Sequence, residues 1–317
     1  MQSLRIAPRV LHGYSQAKRQ LRSGAPGLLI AIDFGAFNIR LARFAKKLGW
    51  QVLYFMPPAS WRRDRQGKDL LKVADQVVTP FPWSKEILDA SSGTADRVHF
   101  FGHPLKQLIA EWREGTPDVQ QGDTIAVLPG SRSHEVERNL ELIARIAAHP
   151  SIAGRTFEFA VAPSVNAEEL QRKWRNLSLD RKDTFTSGDV YGVLARAQFA
   201  VVCSGTATLE AALLRCPLVV IYQVTKAMVR EAKLIGFKMP EHISLPNIVL
   251  QQPLVPEFVG LDIDAKSVRS AILDLLPPGE LRRRQLEGFQ EIESMLGAED
   301  AVTQTAELAL QMVSNQA

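Results

Sequence analysis

Short apolar runs alternate with amphipathic stretches along nearly the whole chain. The runs predict buried strands, and apolar positions at helical spacing between them predict helices. The predicted strands are 28–33, 50–55, 76–79, 97–101, 124–128, 157–162, 199–203 and 218–222. The predicted helices are 8–22, 38–48, 68–74, those beginning near 84, 135, 166, 206 and 226, and then 265–276, 279–296 and 299–315. Strands that alternate with helices indicate parallel sheets with helices on both faces.

The clearest helical stripe follows the fifth predicted strand. It consists of Val136, Leu140, Ile143, Ala144 and Ala147. These positions recur at intervals of three and four residues, so they share one face of a helix.

A polar, turn-rich stretch, EGTPDVQQGD (114–123), interrupts the alternation, which restarts after it. With 317 residues, the chain also exceeds the usual single domain of about 100 to 200 residues. The sequence therefore predicts two α/β domains, an N-terminal domain over 1–115 and a C-terminal domain over 116–317 that includes the last helices.

The composition is that of an ordinary soluble globular protein, with 46% hydrophobic and 23% charged residues. No apolar run approaches the roughly 18 to 20 residues of a membrane-spanning helix, and the N-terminus has no signal-peptide core. We therefore expect a cytoplasmic protein. Its two cysteines, Cys203 and Cys216, stand in apolar surroundings and are expected to be buried, reduced thiols.

Positive charge is concentrated in the first third of the chain. Residues 1–112 hold 17 Lys and Arg against 8 Asp and Glu, a net charge of +9, whereas the remainder has a net charge of −5. The basic clusters at 18–22 and 62–65 suit anionic lipid headgroups or phosphorylated substrates, or they are simply a solvated basic surface. No nucleic-acid-binding motif accompanies them, so no nucleic-acid partner is expected.

Two strand-to-helix turns carry the candidate chemistry. The first is VLPGSRSHEVE (127–137), in which a buried strand ends at Pro129 and Gly130 and Arg132 stands beside the start of a helix. Backbone N–H groups and the positive end of a helix suit a phosphate. The alternative is a plain turn in which Ser131 or Ser133 caps the helix.

The second turn lies within VVCSGTATLEAALL (201–214), where Ser204, Gly205 and Thr206 end a strand and begin a helix. Glu210 follows one helical turn later in an apolar stretch, and burying an unpaired carboxylate is costly. Its spacing from Thr206 does not fit a capping box. Glu210 is therefore either an acid favoured by the helix dipole or a group that accepts hydrogen bonds from the hydroxyls of a ribose.

These motifs occur in a familiar order: IDFGAFN (32–38), FFGHPL (100–105), LPGSRSHEVE, CSGTATLEAALLRCPLVVIY and ISLPNIVL with LVPEF (243–258). Together they resemble lipid-A-disaccharide synthase, a glycosyltransferase with two Rossmann-like domains, the GT-B architecture. The resemblance implies transfer of diacylglucosamine from a UDP-activated donor to diacylglucosamine 1-phosphate, with release of UDP and without metal or other cofactor. It also implies a peripheral protein on the inner face of the cytoplasmic membrane, and it is compatible with a homo-oligomer.

The resemblance gives roles to individual residues. Arg132 would neutralise the diphosphate and Asp33 would act as the catalytic base. The substrate-binding residues would be Ser131, Ser204, Gly205, Thr206, Glu210, Asn247, Glu257 and Trp61. Trp61 either lines the acceptor pocket or packs between the domains. His103 and His134 are interpreted as turn or surface histidines, because the family chemistry does not require them.

Two departures from the family pattern shape the remaining expectations. Ala36 replaces the second acid of the N-terminal motif, and the family's first strand with its glycine-rich loop has no counterpart. The resemblance thus implies that the N-terminal domain, 1–115, is incomplete. We therefore expect apolar surface beside the strand at 28–33 that lacks its usual cover. Either the last helices or a second chain covers it, or the true start lies upstream of Met1, and we expect the third. The alternatives to an active synthase are a non-catalytic relative that binds a UDP-sugar or a partner, and another GT-B enzyme that uses UDP-N-acetylglucosamine.

Overall fold

The computed structural model describes residues 2–60, 62–63, 70–92, 95–116, 119–178, 181–234, 236 and 239–315. Up to residue 150, the elements are α1 (Gln2–Ser23), β1 (Leu28–Ile32), α2 (Gly35–Lys47), β2 (Gln51–Phe55), β3 (Gln76–Val78), α3 (Pro82–Ser92), β4 (Val98–His99), α4 (Pro104–Glu114), β5 (Ile125–Leu128) and α5 (Ser133–Ala147). The rest are α6 (Pro150–Ala153), β6 (Phe157–Val161), α7 (Ala167–Ser178), β7 (Thr184–Ser187), α8 (Val190–Arg196), β8 (Phe199–Cys203), α9 (Ala207–Leu213), β9 (Leu218–Gln223), α10 (Lys226–Leu234), α11 (Leu245–Leu250), β10 (Glu257–Gly260), α12 (Ala265–Leu275), α13 (Glu280–Met295) and α14 (Ala301–Ser314).

The chain forms two compact units. The first comprises Met1–Ala110 together with Met295–Ala317, and the second comprises Glu111–Ser294. Each contains one parallel sheet, which confirms the predicted α/β class with two Rossmann-like domains. The last helix belongs to the first unit because it packs on the first sheet.

The first sheet has the strand order β1-β2-β3-β4, and every pairing is parallel. Side chains on β2 alternate between its two faces. Val52 and Tyr54 belong to a core with residues of α1 and α2, whereas Leu53 belongs to a cluster with Ala309 and Met312 of α14. The sheet is therefore covered by α1 and α2 on one side and by α14 on the other.

Apolar side chains remain exposed along β1, as the sequence predicted. Ile30 and Ile32 on this strand and Phe34 just after it are about half exposed. These side chains lie at an edge of the described sheet, since β1 pairs only with β2 among the described strands.

The second sheet has the order β10-β9-β8-β5-β6-β7, again with parallel pairings. Every residue of β5, β6 and β8 is buried. The stripe predicted for α5 is fully buried in the same core, which confirms the helix and its orientation. Cys203 and Cys216 are buried free thiols, also as expected.

Both strands that the sequence pattern missed, β7 and β10, lie at the edges of the second sheet. Their side chains are only partly buried or are exposed, so they lack the continuous apolar run by which the central strands were found. The helix predicted over 68–74 is wrong in its described part, because residues 70–73 form turns. None of the helices in the described part of the chain is long and apolar enough to cross a membrane.

Candidate functional site

The two candidate turns lie next to each other because β5 pairs directly with β8. The pairing runs from Ile125 with Phe199 to Leu128 with Val202, so both strands end at the same edge of the sheet. The chain passes from β5 to β6 and β7 on one side and later to β8, β9 and β10 on the other. In parallel α/β sheets, ligands bind outside the carboxyl ends of the strands at this kind of switch in strand order.

A cavity of about 510 Å³ opens at this edge. Its lining includes most of the predicted residues of both turns: Ser131, Arg132, Ser204, Gly205, Thr206 and Glu210. Gly188 and Val190, which follow β7, and Pro163, which follows β6, line it as well. The sequence pattern suggested none of these three residues. Gly188 and Val190 were missed because β7 carries no clear strand signal.

Arg132 is exposed over 68% of its side chain and forms an ion pair with Glu135, with Nη1 and Oε1 2.6 Å apart. Glu135 is buried in the first turn of α5, and its hydrogen bond raises the pKa of Arg132. The N-cap of α5 is Arg132 itself, without a side-chain cap, so neither Ser131 nor Ser133 caps this helix. The sequence analysis did not name Glu135 as a site residue, although an acid three residues after an arginine at a helix start is a recognisable signal of an ion pair.

The turn before Arg132 is held by two side-chain hydrogen bonds. Asn139 Nδ2 donates to the Pro129 carbonyl at 2.7 Å, and Ser164 Oγ donates to the Ser131 carbonyl at 2.5 Å. Gly130 has φ +122°, and a Cβ there would lie 3.0 Å from Glu135 Cβ. The turn is therefore fixed before any ligand arrives, and only glycine fits at its tightest point.

Glu210 is half-buried in α9, and burial raises the pKa of its carboxyl group. Its carboxylate makes no side-chain hydrogen bond or ion pair with the described residues. Burial of Tyr191, together with the nearby Glu210, raises the pKa of that phenol to about 12. Glu210 thus has the property that its apolar sequence context indicated: it is an acid that faces a cavity without a partner from the described residues.

Asn247 and Glu257 lie elsewhere in the second unit. They line a different cavity of about 440 Å³, together with residues of α12 and α13. Asn247 is buried and exchanges hydrogen bonds of 2.8 Å with both backbone groups of Val255. Asn247 Nδ2 also donates a hydrogen bond to Glu257 Oε1 at 2.9 Å. The structure does not bring these two residues into the cavity that Arg132 and Glu210 share.

Asp33 directly follows β1 in the first unit and is exposed. Asp33 and Phe34 both have left-handed backbone conformations, with φ values of 44° and 37°. Tyr54 Oη donates to the Asp33 carbonyl at 2.7 Å, and Asn38 Nδ2 donates to the same carbonyl at 3.0 Å. Two adjacent non-glycine residues in this region represent backbone strain of about 1 to 3 kcal/mol each, a feature that clusters at functional sites.

Trp61, the basic cluster at 62–65 and His103 were also singled out by the sequence. Trp61 lies outside the described residues. Arg63 stacks on the Trp83 ring, with Cζ 3.9 Å from the ring centroid. His103 is buried and its Nδ1 accepts a hydrogen bond from the Leu105 amide at 3.2 Å, so it is a turn histidine as interpreted. Burial lowers the pKa of His103 to about 4.

Comparison with known proteins identifies the family. The model of the lipid-A-disaccharide synthetase family matches residues 1–313. The chain belongs to the lipid-A-disaccharide synthetase family. This confirms the resemblance that the sequence motifs carried, and it favours that family over other users of UDP-N-acetylglucosamine.

Similar proteins support the same assignment. Lipid-A-disaccharide synthase 1 of Legionella pneumophila strain Philadelphia 1 is 32% identical over 80% of this chain, which spans 66% of that relative, just under two thirds of its length. The synthase of Syntrophus aciditrophicus is 31% identical over 96% of this chain and 79% of its own length.

Solved structures at low identity share the fold. A Staphylococcus aureus MnaA structure with UDP is 12% identical and covers 98% of this chain and 83% of its own, with a TM-score of 0.61. A UDP-GlcNAc 2-epimerase from Neisseria meningitidis, bound to UDP-GlcNAc, is 13% identical and covers 95% and 81%, with a TM-score of 0.58. At these identities the likeness concerns the GT-B fold alone.

Proposed function

We propose that this chain is a lipid-A-disaccharide synthase. It would transfer 2,3-diacylglucosamine from its UDP-activated form to 2,3-diacylglucosamine 1-phosphate and release UDP. The observation that carries this proposal is the cavity in the second unit, in which Arg132 and the unpartnered Glu210 both line the carboxyl edge of a Rossmann-like sheet. Family membership supplies the substrate class.

The cavity suits a nucleoside diphosphate. The Arg132 guanidinium would face the diphosphate, with Ser131 and the turn at 204–206 beside it. Glu210 would accept hydrogen bonds from the two ribose hydroxyls, which would give its carboxylate the partners that it lacks. As the glycosidic bond to UDP breaks, negative charge grows on the diphosphate. Removing one preorganised group that stabilises such charge typically costs about 10²- to 10³-fold in rate.

Asp33 would act as the base. Its carboxylate would accept the proton of the acceptor 6-hydroxyl while that oxygen attacks the anomeric carbon, which inverts the configuration as the bond to UDP breaks. Tyr54 and Asn38 fix the carbonyl of the same residue, so the orientation of the Asp33 backbone is set in advance.

Titration calorimetry with UDP tests the donor site. We expect wild-type protein to bind UDP, Glu210→Ala to weaken binding by about 10- to 100-fold, and the control Glu141→Ala, on the exposed face of α5, to leave affinity unchanged. Absence of UDP binding by wild-type protein would contradict the donor-site proposal.

A turnover assay with the acylated donor and acceptor tests the reaction. Disaccharide formation that Asp33→Asn abolishes is the expected result. UDP binding without turnover would instead indicate a non-catalytic UDP-sugar-binding relative, an alternative favoured by Ala36 at the position of the second acid. Turnover of soluble UDP-N-acetylglucosamine alone would indicate a different GT-B enzyme.

We also propose that the first unit docks on an anionic membrane surface, where acylated sugars reside. Residues 1–48 contain nine Lys and Arg and a single acid, Asp33. Most of these cations are exposed on α1 and α2, which pack against each other: Arg9, Arg19, Arg22, Arg40, Arg43 and Lys47. Each such cation near an anionic bilayer contributes about 1 kcal/mol of attraction.

Co-sedimentation with vesicles tests this docking. Vesicles that contain phosphatidylglycerol should retain the protein at low salt and release it at high salt, whereas phosphatidylcholine vesicles should not retain it. Arg19→Glu with Arg22→Glu should abolish retention, and the control pair Arg175→Glu with Lys266→Glu, on exposed positions of the second unit, should not. Equal retention by both kinds of vesicle would contradict an electrostatic dock.

A further inference from the structure

A buried hydrogen-bond network links Glu257 to the turn that lines the nucleotide cavity. Its side chains are Ser204, Thr208, Ser244, Asn247 and Glu257, hereafter the Glu257 network. Ser244, Thr208 and Asn247 are at most 1% exposed. The network begins in β10 and ends in the turn after β8, with the backbone at 243–245 between them.

The first half of the network fixes the segment at 243–245. The Glu257 carboxylate accepts hydrogen bonds from the amides of Ile243 (3.0 Å) and Ser244 (2.8 Å) and from Ser244 Oγ (2.5 Å). Asn247 adds a further bond to Glu257 and ties it to Val255. The carboxylate is therefore satisfied by protein donors, in contrast to Glu210.

The second half passes from this segment to the cavity. Ser204 Oγ donates to the Ile243 carbonyl at 2.8 Å. Thr208 Oγ1 accepts from the Leu245 amide at 3.2 Å and donates to the Gly205 carbonyl at 2.8 Å. The turn at 204–206 is thus held from behind by two side chains that both depend on the 243–245 backbone.

We propose that Glu257 and Asn247 are positioning residues for nucleotide binding, which act through the 243–245 segment on the Ser204–Gly205–Thr206 turn. They do not line the cavity that holds Arg132 and Glu210, so their effect on UDP would be indirect. This inference rests on the proposed function, because UDP is taken as the occupant of that cavity.

Glu257→Gln is the central variant. It keeps the side-chain shape but places an NH₂ group against one of the backbone amides that donate hydrogen bonds to the carboxylate in the wild-type protein. We expect UDP affinity to fall about tenfold in calorimetry. Asp274→Asn is the matched control: Asp274 lines the same cavity as Glu257, is exposed, and should leave UDP affinity within about twofold.

A double-mutant cycle with Ser204→Ala distinguishes an indirect role from direct contact. If Glu257 acts through Ser204, the losses of UDP affinity in the two single variants will not add in the double variant. Additive losses, or unchanged UDP affinity in both single variants, would overturn the proposal. Loss of affinity in Asp274→Asn would also overturn it, because the cavity beside Glu257 would then be part of the ligand site.

Amide hydrogen exchange provides a readout that needs no ligand. Glu257→Gln should speed exchange in peptides that cover 203–209, and Asp274→Asn should not. If wild-type protein binds no UDP but this exchange difference is seen, the proposed function fails and the network stands. Unchanged exchange in Glu257→Gln contradicts the network itself. Should Glu257→Gln fail to fold, Thr208→Val removes the bonds to Leu245 and Gly205 at the other end of the network and is read in the same two assays.

Discussion

At the scale of single residues, three buried or half-buried acids of the second unit differ in whether the protein supplies hydrogen-bond partners for their carboxylates. Glu135 is paired with Arg132 and Glu257 accepts four protein hydrogen bonds, whereas Glu210 faces a cavity with no partner among the described residues. A sequence shows the type of residue and its local spacing, so it identified Glu210 by its apolar context. The family resemblance implied that Glu257 also binds substrate. The sequence could not show that Glu257 is already satisfied, because its donors at 243–244 are brought near only by the fold.

The environment of Glu210 predicts that its carboxylate lowers the stability of the ligand-free protein and strengthens UDP binding. Burial raises the pKa of this carboxyl group, so the ionised form destabilises the free native state at pH values above its unfolded pKa. Glu210→Gln should therefore raise Tm at pH 8 in the absence of ligand and should weaken UDP binding. Differential scanning calorimetry with and without UDP measures both effects. A lower Tm in the ligand-free variant would show that Glu210 already has a stabilising partner.

Burial of His103 predicts a stability change with pH. Its folded-state pKa of about 4 lies below the unfolded value of 6.5, so the unfolded chain binds the proton first. This contribution to the free energy of unfolding is complete above pH 6.5 and falls by roughly 3 kcal/mol as the pH decreases to 4.

Urea denaturation between pH 4 and 7 measures this loss. His103→Gln should remove the His103 part of the slope, whereas the exposed His12→Gln should keep the wild-type slope. Identical slopes in wild type and His103→Gln would contradict the prediction.

At the scale of elements, periodicity located the central strands of the second sheet and missed its two edge strands for a physical reason. A central parallel strand is covered on both faces and reads as a continuous apolar run, but β7 and β10 are open on one side. The sequence left open which sheet the last helix covers, because cover of the first sheet was only one of three possibilities. The apolar face of this helix requires a covering surface, and nothing in its own residues specifies which sheet supplies it.

The position of α14 predicts which side chains support the first unit. Met312 is buried in the cluster with Leu53 and Val78, whereas Leu310 is 68% exposed. Met312→Ala should lower the free energy of unfolding of the first unit by about 2 kcal/mol or more. Leu310→Ala should change it by less than about 0.5 kcal/mol. Urea denaturation, with unfolding detected by hydrogen exchange in β2, compares the two variants. Similar losses of unfolding free energy in both would mean that α14 does not cover this sheet.

At the scale of the whole molecule, the two units have different tasks in the proposed function. The nucleotide cavity lies entirely within the second unit, whereas the basic surface on α1 and α2 and the candidate base Asp33 lie in the first.

Saturation with UDP should therefore stabilise the second unit selectively. At a UDP concentration 100 times Kd, the stabilisation is about 2.7 kcal/mol. Hydrogen exchange should slow in β5, β8 and α9 and remain unchanged in β1 and β2. Equal protection of both units by UDP would contradict a binding site confined to the second.

The sequence by itself determined the α/β class, the buried strands, most of the longer helices, the family and the main residues of the two strand-to-helix turns that line one cavity. Each of these depends on local periodicity or on short motifs that a linear chain carries. Only the tertiary structure decided that β5 pairs with β8, because strand order is set by long-range packing. That pairing brings Arg132 and Glu210 to one cavity, and the same folding places Asn247 and Glu257 behind the turn that lines it.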